Sequence, residues 1–385
     1  MPNILARLVR AAGFSAPAVK GASLALYGDA PAVWMTRDVG AFAREGYQRN
    51  AIAHRAVRLV AESAASLPLT LEGGEAGHPL LALLARPNPR EGGPGFLEGV
   101  YGHLMIAGNA YLEAVFLDGA PRALYALRPD RMRVIAGPDG WPTAYEYSAG
   151  GRPVRYEQAG PVPPILHLKT FNPLDDHYGL SPVEAAAVAL DIHNAAGAWH
   201  KALLDNAARP SGALVFAPAS GASLSDAQFS RLKGELEASY QGAANAGRPL
   251  LLDGGLDWKP LALSPKEMDF VEAKASAARE IALAFGVPPL LLGLPGDNTH
   301  ANYAEANRAF YRQTVIPLVR RTAAALAGWL EPAFGPAALV PDLDGIEALA
   351  AERESLWRRL QGADFLSPDE KREALGYPPA GTPAA

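Results

Sequence analysis

The sequence predicts a multi-domain α+β protein, and three observations carry that prediction. Helix starts are marked by the same device three times, a Ser-Pro-x-Glu box at Ser181, Ser264 and Ser367. In such a box the Ser hydroxyl and the Glu carboxylate satisfy orphan amides reciprocally, and Pro occupies the one position where a missing N–H costs nothing. Short β-type runs, separated by Pro-Asp or Gly-containing turns, succeed one another between Ala110 and Lys169. The chain has 385 residues, of which 49% are apolar and 19% charged. That is the balance of a folded protein, and the length exceeds the roughly 100–200 residues of one domain.

From the N-terminus, residues 1–48 hold Gly, Pro, Ala and small polar residues without sustained periodicity, and are expected as an extended or mobile arm. A helix starts at Asn50, a good cap, with Ala53, Ala56, Val57, Val60 and Ala64 on one face, and Leu67-Pro68 ends it. His78–Leu84 reads as a short helix stopped by Arg86-Pro87-Asn88-Pro89, and Phe96–Ala107 as an apolar helix ending before Gly108. The β segments are Ala110–Leu117, Tyr125–Leu127, Arg131–Ala136, Ala144–Tyr147, Val154–Glu157 and Ile165–Lys169, with a turn at Asp118-Gly119. They predict a compact antiparallel unit.

An Ala-rich helix is expected from Ser181 to Asn206, roughly 40 Å long at 1.5 Å per residue. A fourth box, Ser225 with Gln228, opens a short amphipathic helix to Tyr240. Beside it lie β signals at Ala213–Phe216 and a hairpin over Leu250–Trp258. A second Ala-rich helix spans Ser264–Phe285, closed by Gly286 with Pro288-Pro289 beyond. After a loop over Leu290–Ala301, a helix capped by Asn302, with Glu305 three residues on, is expected to reach Leu330. Pro317 lies inside it and predicts a kink near Gln313–Pro317. Pro332, Pro336 and Pro341 mark a linker, and two more helices are expected over Ile346–Gln361 and Ser367–Leu375.

Composition excludes several functions. There is no cysteine, which rules out disulfides, thiol catalysis and cysteine-ligated metal and suits a reducing compartment. Arg7 and Arg10 interrupt the only N-terminal apolar stretch, and no run approaches the ~20 apolar residues of a membrane span. A protein made in the cytosol, with no membrane partner, is expected. The net charge is −5, with no basic stripe. Tight nucleic-acid binding rests largely on phosphate neutralisation, so contact with DNA is expected to be loose and independent of base sequence.

Chemistry-bearing clusters are few. Asp175-Asp176-His177 is the most enzyme-like, able in principle to hold a metal and serve a metal-dependent hydrolase. A polar loop ahead of a capped helix is the favoured account, because no second ligand group is placed by the sequence. His193 and His200 stand seven apart, whereas helical metal pairs favour three or four. No G-x-S-x-G, Walker or G-x-G-x-x-G motif is present. No catalytic, cofactor or metal residue is therefore assigned. Lys201, Lys266, Lys274 and Arg279 can present positive charge to a passing polyanion, but Glu267, Asp269, Glu272 and Glu280 interleave with them.

Seven stretches, in order, resemble the portal (head-to-tail connector) proteins of long-tailed phages, and most of all the portals of alphaproteobacterial gene transfer agents. They are NAIAHRAVRLVAESAASLPL, HPLLALLARPNP, AGNAYLEAV, LRPDRMRV, NPLDDHYGLSPVEAA, AREIALAFGVPPLLLG and NYAEANRAFYRQTVIPL. The resemblance covers about residues 48–377. It implies a ring of about twelve subunits at one capsid vertex, with DNA passing through its bore, and no enzymatic activity. The implied parts are an arm (1–48), a wing (49–180), stem helices (181–206 and 264–286), a clip (207–263), a tunnel loop (287–301), a kinked wing helix (302–331), a short helical crown (332–377) and a tail (378–385). Leu294, Asp297, Asn298, Thr299 and His300 become the tunnel-facing residues. Implied partners are double-stranded DNA, the large terminase, a head-tail adaptor and the major capsid protein. The implied location is the virion or gene transfer agent particle, assembled in the bacterial cytoplasm.

Overall fold

The computed structural model describes residues 34–72, 77–205, 212–216, 256–260, 270–296 and 299–375, with Ser225, Ala227, Gln228, Ser230, Arg231 and Gly234 between them. The chain divides after Trp34 into two units, and every described helix and strand belongs to the unit that begins at Met35.

Helical structure starts earlier than composition suggests. Asp38 accepts a hydrogen bond from Ala41 N at 2.8 Å and caps α1 (Val39–Ala41), which continues as a π-helical turn over Phe42–Gln48. Met35, Ala41 and Phe42 are buried in the main core. Residues 39–48 are thus not part of an extended arm. A π turn obeys neither the 3.6 nor the 2.0 repeat, so no periodicity announces it.

Asn50 caps α2 (Ala51–Ala65), its side-chain oxygen accepting from Ile52 N and Ala53 N, and the expected face of Ala53, Ala56, Val57, Val60 and Ala64 is buried. Next come β1 (Leu69–Leu71) and α3 (Pro79–Ala85), the latter opened by His78 accepting from Leu80 N. α4 (Gly93–Ala107) ends on Gly108 in the left-handed conformation, φ 69°. Small residues on α2 let it lie directly against Phe96, Val100 and Leu104 of α4 in one core.

The β unit is two antiparallel three-stranded sheets. β2 (Asn109–Leu117) lies between β3 (Ala120–Leu127) and β7 (Ile165–Lys169), while β4 (Met132–Ala136), β5 (Pro142–Ala149) and β6 (Arg152–Glu157) form a meander. Asp118 (φ 52°) and Gly119 (φ 76°) both take positive φ, which matches the twist of the β2–β3 hairpin they join. Tyr111, Met132, Tyr145 and Ile165 form a second small core that joins the sheets.

The first Ala-rich helix is interrupted. Ser181 Oγ accepts from Glu184 N at 2.9 Å and starts α5 (Pro182–Ala185), and after one non-helical residue, Ala186, α6 runs over Ala187–Asp205. β8 (Gly212–Phe216) pairs antiparallel with β9 (Leu256–Pro260). The expected hairpin over Leu250–Trp258 thus has its second arm paired with a strand far upstream, and its first arm lies outside the described residues. The box at Ser264 lies outside them too. The reciprocal bonds of Ser225 with Gln228 are present. α7 (Phe270–Ala284) is closed by Gly286 at φ 63°.

The long C-terminal helix corrects two expectations. Thr299, not Asn302, caps α8 (His300–Phe310), its hydroxyl accepting from Asn302 N at 3.2 Å. The helix then widens into a π turn over Tyr311–Val315, in which Ile316 N donates to Tyr311 O, before α9 (Ile316–Phe334). That change of register puts Pro317 in the first turn of a fresh helix, where its missing N–H is not needed. Pro332 is inside α9 and not in a linker. It falls in the last turn, where one lost backbone bond leaves only two further residues to hold before Gly335. Trp329 Nε1 donates to Pro163 O at 2.7 Å and ties α9 to the β unit. β10 (Leu339–Pro341) pairs with β1, so Pro341 belongs to a strand. A 3-10 turn over Glu347–Leu349 leads to α10 (Ala350–Gln361), and α11 (Pro368–Ala374) carries the complete Ser367/Glu370 box.

Candidate functional site

The elements with a possible role cluster where α5 and α6 leave the β unit and where α7 runs into the loop at 287–299. At the first place the backbone of Gly108 crosses that of Gly179 so closely that a Cβ on either would collide with the other's carbonyl oxygen. Side chains lock the crossing. Asn109 Oδ1 accepts from Gly179 N at 2.9 Å, its amide donates to Ala107 O at 2.7 Å, and Thr170 Oγ1 donates to Leu180 O at 2.7 Å. His167 Nε2 lies 2.9 Å from the same Asn109 oxygen, and its Nδ1 lies 3.4 Å from the Tyr145 hydroxyl. Since Asn109 Oδ1 can only accept, His167 carries a proton on Nε2. Its ring stacks on Tyr111 at 4.2 Å. Burial, reinforced by Lys169 and His177, pushes its pKa down to about 3.

The root of α6 is held from the other side. The Asn50 amide donates to Asn194 Oδ1 at 2.9 Å and lies 3.1 Å from His193 Nδ1, which therefore accepts. Asn194 donates in turn to Glu45 O, and Asp191 accepts from Met35 N. Burial first, then Lys274, lowers the His193 pKa. His193 is thus a hydrogen-bond acceptor in a structural joint, and no group of metal-ligating side chains occurs among the described residues.

Small residues bring α6 and α7 together: Ala189 and Ala196 on one, Ala277 and Ala278 on the other, are buried. Ala273, one turn before Ala277, is exposed. α6 leaves an apolar face open, with Val188 58% exposed and Ile192 one turn after it, while on α7 the exposed Leu283 follows the exposed charges Arg279 and Glu280. Lys274 is half-buried, with its ammonium directed to Gly197 of α6. Lys201 is exposed near the end of α6, and Lys266 lies outside the described residues.

The loop after α7 is anchored at both ends. Gly286 O accepts from Thr314 Oγ1 at 2.6 Å, and a 3-10 turn over Pro289–Leu292 sets Leu291 and Leu292 against the main core. Leu294 is half-buried, and Arg279 donates from Nη2 to Pro295 O at 2.8 Å. Arg279 therefore clamps the loop to the helix that precedes it, a role its place among interleaved charges did not reveal. Thr299 is occupied as the cap of α8 and His300 begins that helix. Asp297 and Asn298, and the side chain of His300, lie outside the described residues.

The Asp-Asp-His cluster forms a turn. Asp175 Oδ1 accepts from His177 N at 2.7 Å and Tyr178 N at 2.9 Å, which holds its carboxyl below the usual range. Asp176 contributes its backbone carbonyl to Lys169, and His177 Nδ1 is buried with no hydrogen-bond partner among the described residues. These three residues are not among any group of three metal-ligating side chains in the described residues.

Comparison with known proteins agrees with this geometry. A family model described as phage portal protein matches residues 51–376. A probable portal protein of Streptomyces phage phiC31 is 29% identical over 343 residues, covering 84% of this chain and 73% of that protein. Among solved structures, a chain from the virion of a native gene transfer agent (GTA) particle is 54% identical, with a TM-score of 0.71 over 91% of this chain and 97% of its own. A chain from the neck of a native GTA particle computed with C12 symmetry is 55% identical, with a TM-score of 0.70 over 90% and 95%.

Proposed function

This chain belongs to the phage portal protein family, and we propose that twelve copies close into a ring at one capsid vertex, forming the conduit for DNA packaging and ejection. The observation that carries this reading is the 55% identity, over 90% of the chain, with a subunit of a neck computed with C12 symmetry. In this reading residues 49–180 and the helix from Thr299 to Phe334 make the wing, α5 to α7 the stem, residues 207–263 the clip and residues 342–375 the crown. The clip meets the large terminase during packaging and the head-tail adaptor afterwards, and the wing meets the major capsid protein. Particles are assembled in the bacterial cytoplasm, and the ring itself transforms no substrate.

The local geometry supports a conduit. The open apolar face of α6, with Val188 and Ile192, offers each stem a surface for the next stem around the ring. The loop after α7 is fastened by Thr314 at Gly286 and by Arg279 at Pro295, and Asp297 and Asn298 follow the second anchor in the sequence. In this reading an acidic, hydrogen-bonding pair at 297–298 gives a sliding duplex no phosphate trap.

Exchanging Asp297-Asn298 for Gly-Gly spares the Arg279 clamp, the Thr314 anchor and the Thr299 cap. The expected result is intact rings and particles that package or retain several-fold less DNA, measured by nuclease-protected DNA per particle. Undiminished DNA content with the exchanged pair would remove the loop from the conduit.

A further inference from the structure

The described residues hold a cleft of about 770 Å³ between the middle of the long helix and the two C-terminal helices. Its floor is apolar, formed in part by Ile316, Leu349 and Leu356. Its walls are cationic. Four guanidinium groups line it, those of Arg312, Arg320, Arg353 and Arg359, against the carboxylates of Asp344 and Glu352. This is a basic site on a chain whose net charge is −5.

The spacing explains why these groups converge. Arg312, Ile316 and Arg320 recur at intervals of four on one helix, and Leu349, Glu352, Arg353 and Leu356 at intervals of three and four on the other. Each set therefore occupies one helical face. Both carboxylates are already engaged. Glu352 lies 3.2 Å from Arg312 and 3.8 Å from Arg308, and Arg353 bonds to the side chain and backbone carbonyl of Asp344. Arg320 and Arg359 have neither an ion pair nor a hydrogen-bond partner among the described residues. Trp357, 49% exposed, stands at the same cleft.

We infer that this cleft binds phosphate esters, with Arg320 and Arg359 as the phosphate-gripping groups and Trp357 as the flat surface beside them. Two unpaired guanidinium forks line this cleft, and each can offer paired N–H donors to phosphate oxygens. An indole face at the rim adds a stacking surface for a base or sugar. Neither the arginine pair nor the indole depends on the ring, so the site goes beyond the proposed conduit. The phosphate can come from a DNA backbone or from a free nucleotide, and both present the same oxygens.

The test uses the full-length protein, with Arg320→Gln/Arg359→Gln as the variant and Arg321→Gln/Arg358→Gln, outside the cleft, as the control. A fluorescent 20-base-pair duplex is titrated by anisotropy over a salt series, and a nucleoside monophosphate is titrated in parallel by tryptophan fluorescence. If DNA is the source, the cleft variant binds duplex more weakly and its salt slope falls by about 1.8, roughly 0.9 per phosphate contact, while the control keeps its slope. If free nucleotide is the source, saturable quenching by the monophosphate disappears in the cleft variant and in Trp357→Leu, with duplex binding unchanged. The inference is overturned if both ligands behave alike in wild type, cleft variant and control. Native mass of the variant, read alongside, separates that outcome from any failure of ring assembly.

Discussion

Replacing Val188 and Ile192 together by aspartate should turn an assembling chain into a monomer while leaving the subunit's own fold intact. Both residues lie on the exposed face of α6, Val188 58% and Ile192 38% open to solvent, so a charge there meets water in the isolated subunit. In the proposed ring this face lies between neighbouring stems, where the same charge would lose its water. An unpaired buried charge costs about 3 kcal/mol or more, on the order of a hundredfold at each interface, and a closed ring repeats that cost at every joint. Sedimentation of the double variant should show a single species of subunit size at concentrations where wild type is assembled. Its melting should stay within about 2 °C of the wild-type subunit, as surface changes usually do. Full assembly by the double variant would place the stem contact on another face.

Lowering the pH from 7 to 4.5 should destabilise the subunit strongly, and His167 should account for much of the loss. His167 is neutral and buried, with its pKa pushed from the ordinary 6.5 down to about 3, and burial likewise lowers His103 to about 4. Below about pH 6.5 the unfolded chain takes up protons at these positions that the folded chain refuses. Stability is therefore fully present above that pH and is lost as pH falls toward the depressed values. Each residue contributes about 1.4 kcal/mol per pH unit through that window. Urea midpoints across the pH range should fall steeply below 6.5. His167→Gln should lower the midpoint at pH 7.5 and make the acid limb shallower. An unchanged acid slope in His167→Gln would mean that protonation of other groups governs acid unfolding.

The parts of the fold that local chemistry specifies were legible in the sequence. Asn50, Ser181, Gly286 and Ser367 each act within a few residues, so cap or closure identity fixes position. Asp118-Gly119 likewise specifies its own turn through positive φ. Expectation and structure part where a local rule has a competitor or no local cause. Asn302 followed by Glu305 imitates a capping box, but Thr299 takes the cap and draws the helix start forward. Pro332 is a breaker by type, yet in the last turn of α9 it interrupts almost nothing. The pairing of β1 with β10 joins segments 270 residues apart, as Thr70 opposite Val340 shows, and neither three-residue strand has a pattern of its own.

The candidate site divides along the same line. The order of helix, insert, helix and loop is written in helix signals such as Ser181 and Gly286, and the seven family-like stretches point to the conduit. The tethering of Arg279 to Pro295 was not legible, because it depends on how the loop folds back over α7. The Gly108–Gly179 crossing was hidden for a similar reason: each glycine alone resembles an ordinary turn, and only their meeting explains both. The arginine cleft is assembled from two helices whose charges, read separately, look like solvated faces.

The most direct test of the central claim is the native mass of the purified full-length protein over a concentration series. The conduit requires a closed assembly close to twelve times the 40.5 kDa chain, either throughout or growing in as concentration rises. A monomer at every concentration, including those at which related particles assemble, would contradict it.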